Sequence, residues 1–578
     1  MSGPVKVTLA PVAGFRAEGP NALNAGIWCK DPAVEPSEAP VHPHPFLDTA
    51  TWRTALGRAR CTYDDTMSAL ATALDAHNRT SYGRAYWEQV TGWFVRIQTD
   101  VAIDRAALLE DIAAHHPGAV FVGLDAADEE RPFDTKNFAE AIRCSHLANV
   151  QVMSQIARHL GLVVEPRPLH PTLKGKGLSQ IFIADATSTE GLRAEPTGAL
   201  KSTVVLYKTL LRKRTELPLR ACSFGKIRVV QELSAGIAPK PADEALRSRI
   251  LSAPCDTDLG RLTLALVARN IPTALAEEWP YRAQALSGLK PYPKVIVTGL
   301  GSYWNSDFAI WSAAARLAGS RFVGLQHGGA YGERDACSFE THERAVSDRY
   351  VTWGWSEDAR TAPLPAPRLS GIRRRRRPVT NGPILWVGTS DAPYVYQLGP
   401  RPVGPQFLNY FASQRTFDAG LDADTRSQVL FRPYPNSFGW ADQPGSTGEV
   451  RGVALDDFSS GFHQRMAEAR LVVVDHLGST TMLEALSANI PVLCFGSTDD
   501  FDIRPSAQRA YDRLAAQGLY YESAAAAASA VNRIAADVPA WWAASERQSA
   551  ARAFAENFAR QGKFLRVWRR FLSKQAKG

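Results

Sequence analysis

No cysteine in this chain has another at CxxC spacing. The seven present, Cys29, Cys61, Cys144, Cys222, Cys255, Cys337 and Cys494, are odd in number and scattered. That excludes a paired-thiol zinc site and a disulfide framework, and it points to a reducing compartment. Apolar runs of 18 or more residues are also missing, so no membrane-spanning helix is expected. The opening "MSGPVKVTLAPVAGF" lacks the basic-then-apolar pattern of an export signal. These absences predict a cytoplasmic protein, either free or peripheral on the inner face of the cytoplasmic membrane. A large charge excess is lacking too: the net charge is +8 over 578 residues, with a pI near 9.1. This is too mild to call for nucleic acid as a partner, and it suits an anionic ligand or an anionic membrane surface.

Familiar signatures are absent as well. "TGLGSYW" has Gly299 and Gly301 but carries Trp304 where a dinucleotide fingerprint needs its third glycine. There is no GxxxxGK[ST] phosphate loop, no HExxH and no solenoid repeat. The histidines of "VHPHP" and "AHHPG" sit in proline-marked loops and show no metal-ligand spacing.

What is present reads as an ordinary globular chain, 45% hydrophobic and 21% charged, long enough for two large domains. Residues 20–60 are rich in Pro and His and read as loop. The segment from Arg79 to Arg105 looks helical, with Trp87, Trp93 and Phe94 as core candidates. "GAVFVGL", "LSQIFIAD" and "KIRVVQE" read as short buried strands. The clearest unit is a strand at Lys294–Thr298, a helix at Ser306–Leu317 and a strand at Arg321–Leu325. That βαβ pattern implies a parallel sheet, and "SDRYVTWGW" supplies a further strand. From 362 to 383 the composition turns Pro-rich, with five arginines, Arg373 to Arg377, in a row. This reads as a linker. Strand–turn patterns then restart with "PILWVGTS", "QVLFRPYP", "EVRGVALDD" and "RLVVVDHLGSTTMLEALSANIPVLCFG". The expected organisation is an α/β domain over 1–361, a linker over 362–383, a second α/β domain over 384–545 and a basic amphipathic helix within 546–578. In that helix Lys563, Arg566, Arg569, Arg570 and Lys574 accompany Trp568 and Phe571. They suit either packing on the protein or contact with anionic lipid. The fold class is therefore two Rossmann-like, doubly wound domains facing a cleft, with ligands at the carboxyl ends of strands.

Four loops occupy such ends. "QHGGAYGE" follows a strand. Gly328 and Gly329 permit close backbone approach, and His327 is either a general base or an anion contact. Glu340, Glu343 and Asp348 lie just downstream. Glu343, and Asp307 after the GxG turn, join His327 as the candidate catalytic set. "VGTS" offers Gly388, Thr389 and Ser390. "FRPYP" offers Arg432, whose planar fork suits a diphosphate or carboxylate, beside Tyr434 and Pro435. "DHLGSTTMLEAL" places Ser479, Thr480 and Thr481 where a helix begins, a ready anion site, with Glu484 one turn in to accept from ribose hydroxyls. The same spacing also fits an ordinary capping box.

"QHGGAYG", "SDRYVTWGW", "FRPYPNSFGW" and "GSTTMLEALSANIPV", in that order, resemble the transferases encoded in bacterial O-antigen and surface-polysaccharide regions, a family first labelled from Leptospira. "GIWC", around Trp28 and Cys29, and "YWEQVTGWF" look similar too, so the resemblance spans most of the chain. More distantly, the loops are similar to those of capsule Kdo transferases and teichoic-acid polymerases, which have the two-domain GT-B fold. The resemblance implies that Arg432, Tyr434, Pro435, Ser479, Thr480 and Glu484 hold a donor nucleotide while His327 faces the transferred group. One departure is that Tyr434-Pro435 stands where the Kdo-type loop reads His-Pro, which leaves the donor open. No DxD-type motif stands near a strand end, so no metal or other cofactor is expected. The implied function is a glycosyltransferase that moves a sugar, for instance a CMP-linked ulosonic acid, onto a surface glycan or its lipid-linked precursor. The alternatives are a CDP-alcohol polyol-phosphate transferase of the teichoic type, and a non-catalytic nucleotide-sugar-binding scaffold of an assembly complex.

Overall fold

The computed structural model describes residues 3–34, 37–169, 202–230, 232–375, 377, 379–440 and 453–577. Their strands form three sheets. The first holds β1 (Lys6–Thr8), β2 (Ala22–Asn24), β3 (Val120–Leu124) and β4 (Val163–Arg167), in the order β2-β1-β3-β4. The second holds β5 (Val204–Tyr207), β6 (Ile227–Val230), β7 (Val295–Thr298), β8 (Arg321–Leu325), β9 (Arg349–Thr352) and β10 (Thr361–Pro363), in the order β10-β9-β8-β7-β5-β6. The third holds β11 (Ile384–Val387), β12 (Val429–Arg432), β13 (Ala454–Leu455), β14 (Leu471–Val474), β15 (Val492–Phe495) and β16 (Tyr520–Tyr521), in the order β13-β12-β11-β14-β15-β16. Every pairing within them is parallel. The reason is legible in the chain. "VVLY", "VIVT", "ILWV", "LVVV" and "VLCF" are buried along their whole length, as strands covered on both faces must be.

The third sheet has the doubly wound mononucleotide order, reversing between β11 and β14. The second reverses between β5 and β7. Such reversals open a crevice at the carboxyl ends of the strands, and ligands bind there. The two doubly wound sheets read from the sequence are thus present. The N-terminal part differs from its reading, because it carries a separate small sheet of its own. Residues 20–60, read as loop, supply β2 and the start of α1 (Thr49–Asn78). Asp48 caps that helix by accepting from the Thr51 N–H at 2.7 Å. α1 turns back into α2 (Gly83–His115), where Trp87, Trp93 and Phe94 are all buried. The strand expected in "LSQIFIAD" (178–185) lies outside the described residues, as does part of "EVRGVALDD".

The supposed linker also carries structure. It opens as edge strand β10, where Pro363 is tolerated because the strand pairs only on one side, and Ala366 and Leu369 are buried behind it. The C-terminal end returns to the first half. Phe564, Trp568 and Leu572 of helix Phe564–Lys577 pack against Val204, Leu206, Val295, Val297, Val323 and Leu325 of the second sheet.

The two halves meet where residues 330–337 lie along residues 499–511. Arg334 and Ile503 form an isolated antiparallel bridge. The Asp335 N–H donates to Asp502 O at 2.9 Å, and the Arg504 N–H to Glu333 O at 2.9 Å. Buried Arg334 donates to the carbonyls of Arg401 and Leu477. The Tyr511 hydroxyl donates to Glu333 at 2.6 Å.

Burial pushes the Glu333 carboxyl up from 4.5 to about 7, against the Tyr511 hydrogen bond and the Arg334 charge. Between those pH values the folded chain holds a proton that the unfolded chain has lost. The group's contribution is therefore full below 4.5 and is lost as pH rises through 7. Glu333→Gln keeps the neutral shape. It is expected to raise stability above pH 7 by up to about 3 kcal/mol and to change it little near pH 5. Thermal unfolding at the two pH values checks this; equal effects at both would contradict it.

Candidate functional site

β8 ends by delivering Gln326 and His327 to the crevice. Gln326 pins the loop: its amide donates to Gly328 O at 2.9 Å, and its carbonyl accepts from Trp353 N at 2.8 Å and Trp355 Nε1 at 2.9 Å. His327 Nδ1 lies 2.8 Å from Glu343 Oε1, in helix Ser338–Ala345. Glu343 is buried, whereas the His327 side chain is 19% exposed. The carboxylate is surrounded by phenols. Tyr350 donates to Oε2 at 2.5 Å, Tyr331 to Oε1 at 3.2 Å, and Tyr303 also donates to Oε1. Burial, reinforced by the Glu343 charge, raises all three phenols well above their usual range, so they act as neutral donors. A carboxylate held this way favours the tautomer that donates from Nδ1, the one in which Nε2 carries the lone pair. The Tyr331 hydroxyl stands 2.9 Å from Nδ1 and 3.3 Å from Nε2.

The same loop then touches the other half. Gly329 N–H donates to Thr480 Oγ1 at 2.8 Å. Thr480 opens helix Thr480–Ala488, and Ser479 is its N-cap, accepting from the Thr481 N–H at 3.2 Å. The ordinary capping role read for Ser479 is therefore real. It coexists with the positive end of the helix dipole at the carboxyl end of β14, beside β11. On the β11 side, Gly388 is packed against Gln414 and Phe431, and Thr389 N–H donates to the Tyr410 hydroxyl at 2.8 Å. Ser390 is buried. Asp475, at the end of β14, anchors this edge. It accepts from Tyr410 at 2.6 Å, Trp386 Nε1 at 2.7 Å and Gln414 at 2.8 Å.

Glu484 is buried, with Arg368 Nε 3.1 Å and His463 Nε2 3.4 Å from its Oε1. Burial pushes this carboxyl upward, but the His463 hydrogen bond and the Arg368 charge outweigh it and hold it below the ordinary range. Arg212, from the loop after β5, reaches the same cluster by donating to Arg368 O at 2.6 Å. Neither Arg368 nor His463 was among the residues read from the sequence. Arg368 lies in the Pro-rich stretch and His463 in a short helix, and no motif marks either one.

Two readings change. Asp307 is not a crevice group: it is buried, its Oδ1 is 2.7 Å from Arg282 Nη1, and its Oδ2 accepts from Ala235 N at 2.8 Å. Asn305 caps the following helix instead. Arg432 is not an open anion clamp either. It pairs with buried Asp456, and its guanidinium lies 4.6 Å from the Phe458 ring. Tyr434 and Pro435 are exposed on the loop after β12, with Tyr434 stacked on Phe438 at 5.8 Å. Glu340 and Asp348 are bound into the surrounding frame by Arg504 and Arg316 respectively.

Residues after β2 and in the two helices after β3 meet the loops that follow β11 and β12. Trp28 stacks on Tyr394 at 4.7 Å, and Asp31 binds His146 at 3.0 Å. Arg143 reaches Asp391 at 2.7 Å and lies over Phe438 at 4.5 Å. The absence of a side chain at Gly439, with φ +81°, lets that loop approach the Asp31 carboxylate.

A family profile described as "LIC12162 family transferase" matches residues 13–572. None of the curated proteins compared matches the chain. Similar solved structures include S. aureus MnaA with UDP, at 12% identity and TM-score 0.33, covering 63% of this chain and 94% of that one. The Neisseria meningitidis UDP-GlcNAc 2-epimerase bound to UDP-GlcNAc is similar at 12% identity and TM-score 0.34, covering 61% and 98%. A mutant of the Thermobaculum terrenum O-GlcNAc transferase is similar at 14% identity and TM-score 0.33, covering 90% and 99%.

A Cβ at Gly329 would lie 2.4 Å from Gly478 O and 2.6 Å from Thr480 N, both backbone atoms. Gly329→Ala is therefore expected to destabilise the chain by about 1–3 kcal/mol through overpacking. Gly328→Ala, which meets only Thr480 Oγ1 at 3.4 Å, is expected to cost much less. Urea unfolding of both variants checks the contrast; equal effects would contradict the close approach.

Proposed function

Because the chain belongs to the LIC12162 transferase family, we propose that it transfers a sugar from a nucleotide-activated donor to a surface glycan or its lipid-linked precursor. The observation that carries this reading is the pairing of His327 with buried Glu343, two residues before the backbone contact between Gly329 and Thr480. It sets a basic imidazole from one half beside a helix N-terminus of the other. In this reading the nucleotide phosphate sits at Ser479–Thr481, where the N–H groups and helix dipole favour negative charge. Glu484, kept ionised by Arg368 and His463, accepts hydrogen bonds from ribose hydroxyls. Thr389, Ser390, Tyr434 and Pro435 border the base. His327 Nε2 takes the proton of the acceptor hydroxyl as that oxygen attacks the sugar carbon and the bond to the nucleotide breaks. Glu343 stabilises the imidazolium that results. No resident metal is assigned to this step. A CMP-linked ulosonic acid is one donor that suits the cationic surroundings. In the teichoic-type alternative, a CDP-alcohol donor would leave a phosphodiester in the product.

The acceptor is placed at an anionic membrane surface. Support comes from the helix Lys213–Ala221, which packs beside helix Phe564–Lys577 on the second sheet. Phe224 in the turn that follows it is 90% exposed, and Leu217 is 57% exposed. On these two helices Lys213, Arg214, Arg566, Arg569, Arg570, Lys574 and Lys577 are exposed. Apolar tips among cations suit an interface of anionic lipid and water.

Two experiments test these readings. In a thermal-shift panel of CMP-, CDP-, UDP- and GDP-linked compounds, one class is expected to stabilise the chain. The gain is roughly 2.7 kcal/mol at about 100 times its Kd. Glu484→Ala is expected to abolish that shift. His327→Ala is expected to keep it while lowering turnover by about 10²- to 10⁴-fold. Lack of any nucleotide response defeats the enzyme reading, and retained glycan synthesis in His327→Ala defeats the base. Separately, co-sedimentation with phosphatidylglycerol vesicles is expected to exceed that with phosphatidylcholine vesicles. It should fall in the Leu217→Ser, Phe224→Ser double variant. Equal sedimentation with both lipids would remove the membrane assignment.

A further inference from the structure

The fold joins two histidine loops that the sequence keeps far apart. His42 of "VHPHP" follows the bridge between Val41 and Asn24 at the β2 edge, and its N–H donates to Asn24 O at 2.9 Å. His115 and His116 of "AHHPG" end α2, one turn after Asp111. His42 Nε2 lies 2.6 Å from Asp111 Oδ2, and His115 Nδ1 lies 3.6 Å from the same oxygen and 2.8 Å from the Asp111 main-chain carbonyl. One ligand atom from each of the three residues falls within 4.8 Å of the others, and no other such group occurs among the described residues. The His116 ring stands 6.0 Å from that of His42.

We propose that His42, Asp111 and His115 bind a divalent transition metal of the zinc class. Two imidazoles and one carboxylate are the ligand types such an ion takes at about 2.0–2.2 Å in a tetrahedral shell. The 3.6 Å edge between His115 and Asp111 is close to what that shell requires, and the ion takes the place of the proton that His115 Nδ1 donates to the Asp111 main-chain carbonyl. The edge between His42 and Asp111 has only to widen as the ion replaces their shared proton. The fourth position is left for water or His116. Two further features favour a cation here. The C-terminal end of the 33-residue helix α2 directs its negative dipole end and last carbonyls at the cluster. Pro43 follows His42 directly and Pro117 follows His115-His116, which stiffens both histidine loops. His42 is nearly buried, whereas the Asp111 and His115 side chains are 34% and 64% exposed, so the ion has a way in. None of the three belongs to the crevice. The ion would act as a cross-link that ties the loop after β2 to the end of α2.

The test uses the untagged full chain, stripped with EDTA and titrated with Co²⁺ and Zn²⁺. One Co²⁺ per chain is expected, with the strong visible absorption of a four-coordinate site. Zn²⁺ is expected to raise the thermal midpoint. Asp111→Asn and His115→Ala change exposed positions, and circular dichroism confirms their fold. Each is expected to weaken Co²⁺ binding by more than the roughly 10- to 100-fold that loss of an outer partner costs a metal site. Each should also abolish the Zn²⁺ shift. Only the weak absorption of six-coordinate Co²⁺, or strong binding that survives both substitutions, overturns the site.

Discussion

The assembly depends on a contact that only a bare backbone can make. Residue 329 lies so close to Gly478, Ser479 and Thr480 that no Cβ fits between them. This one approach sets the distance between the second and third sheets. It brings the end of β8 to the end of β14, and so decides what the two crevices share. Arg334, Glu333 and Arg504 then secure the seam on one side of it. Their polar groups are met by carbonyls, a phenol and a second carboxylate. Polar groups enclosed like this are costly when unpaired, so the seam has few alternative arrangements.

Each crevice edge is stiffened by one buried carboxylate. Glu343 gathers His327 and three phenols; Asp475 gathers Trp386, Tyr410 and Gln414. In both places an acidic residue at or near a strand end orders neighbours that face the opening, and groups held by packing need no reorganisation when a ligand arrives. The two edges differ in what they present. The second sheet offers one basic nitrogen, and the third offers a helix end with a row of small polar side chains.

The parts legible in the sequence were those with strong local patterns. The β-branched runs gave the strands of the two large sheets, and the glycines of "QHGGAYGE" marked a close approach that proved to be between backbones. The three-residue strands β1 and β2 carry too little periodicity to be read, so of the first sheet only β3, in "GAVFVGL", was legible. Long-range ion pairs were equally invisible. Nothing local says that Asp307 meets Arg282, that Asp456 occupies Arg432, or that Arg368 from a Pro-rich stretch reaches Glu484. The same holds for His42 and Asp111, which are 69 positions apart. Composition also misled at β10: its prolines and the arginines behind them hid an edge strand.

The return of the last helix to the second sheet has a mechanical consequence. The chain crosses between the halves twice, once through the segment after β10 and again between helices Ser545–Phe558 and Phe564–Lys577. The crossings are bonded to each other: Ala366 N–H donates to Arg560 O at 2.8 Å, and the Gln561 side-chain amide to Leu369 O at 2.9 Å. Two adjacent, mutually tied crossings act as a rivet rather than a tether. The halves cannot part at this junction without breaking hydrogen bonds to main-chain carbonyls, and the last helix, seated on the second sheet, holds the second crossing in place.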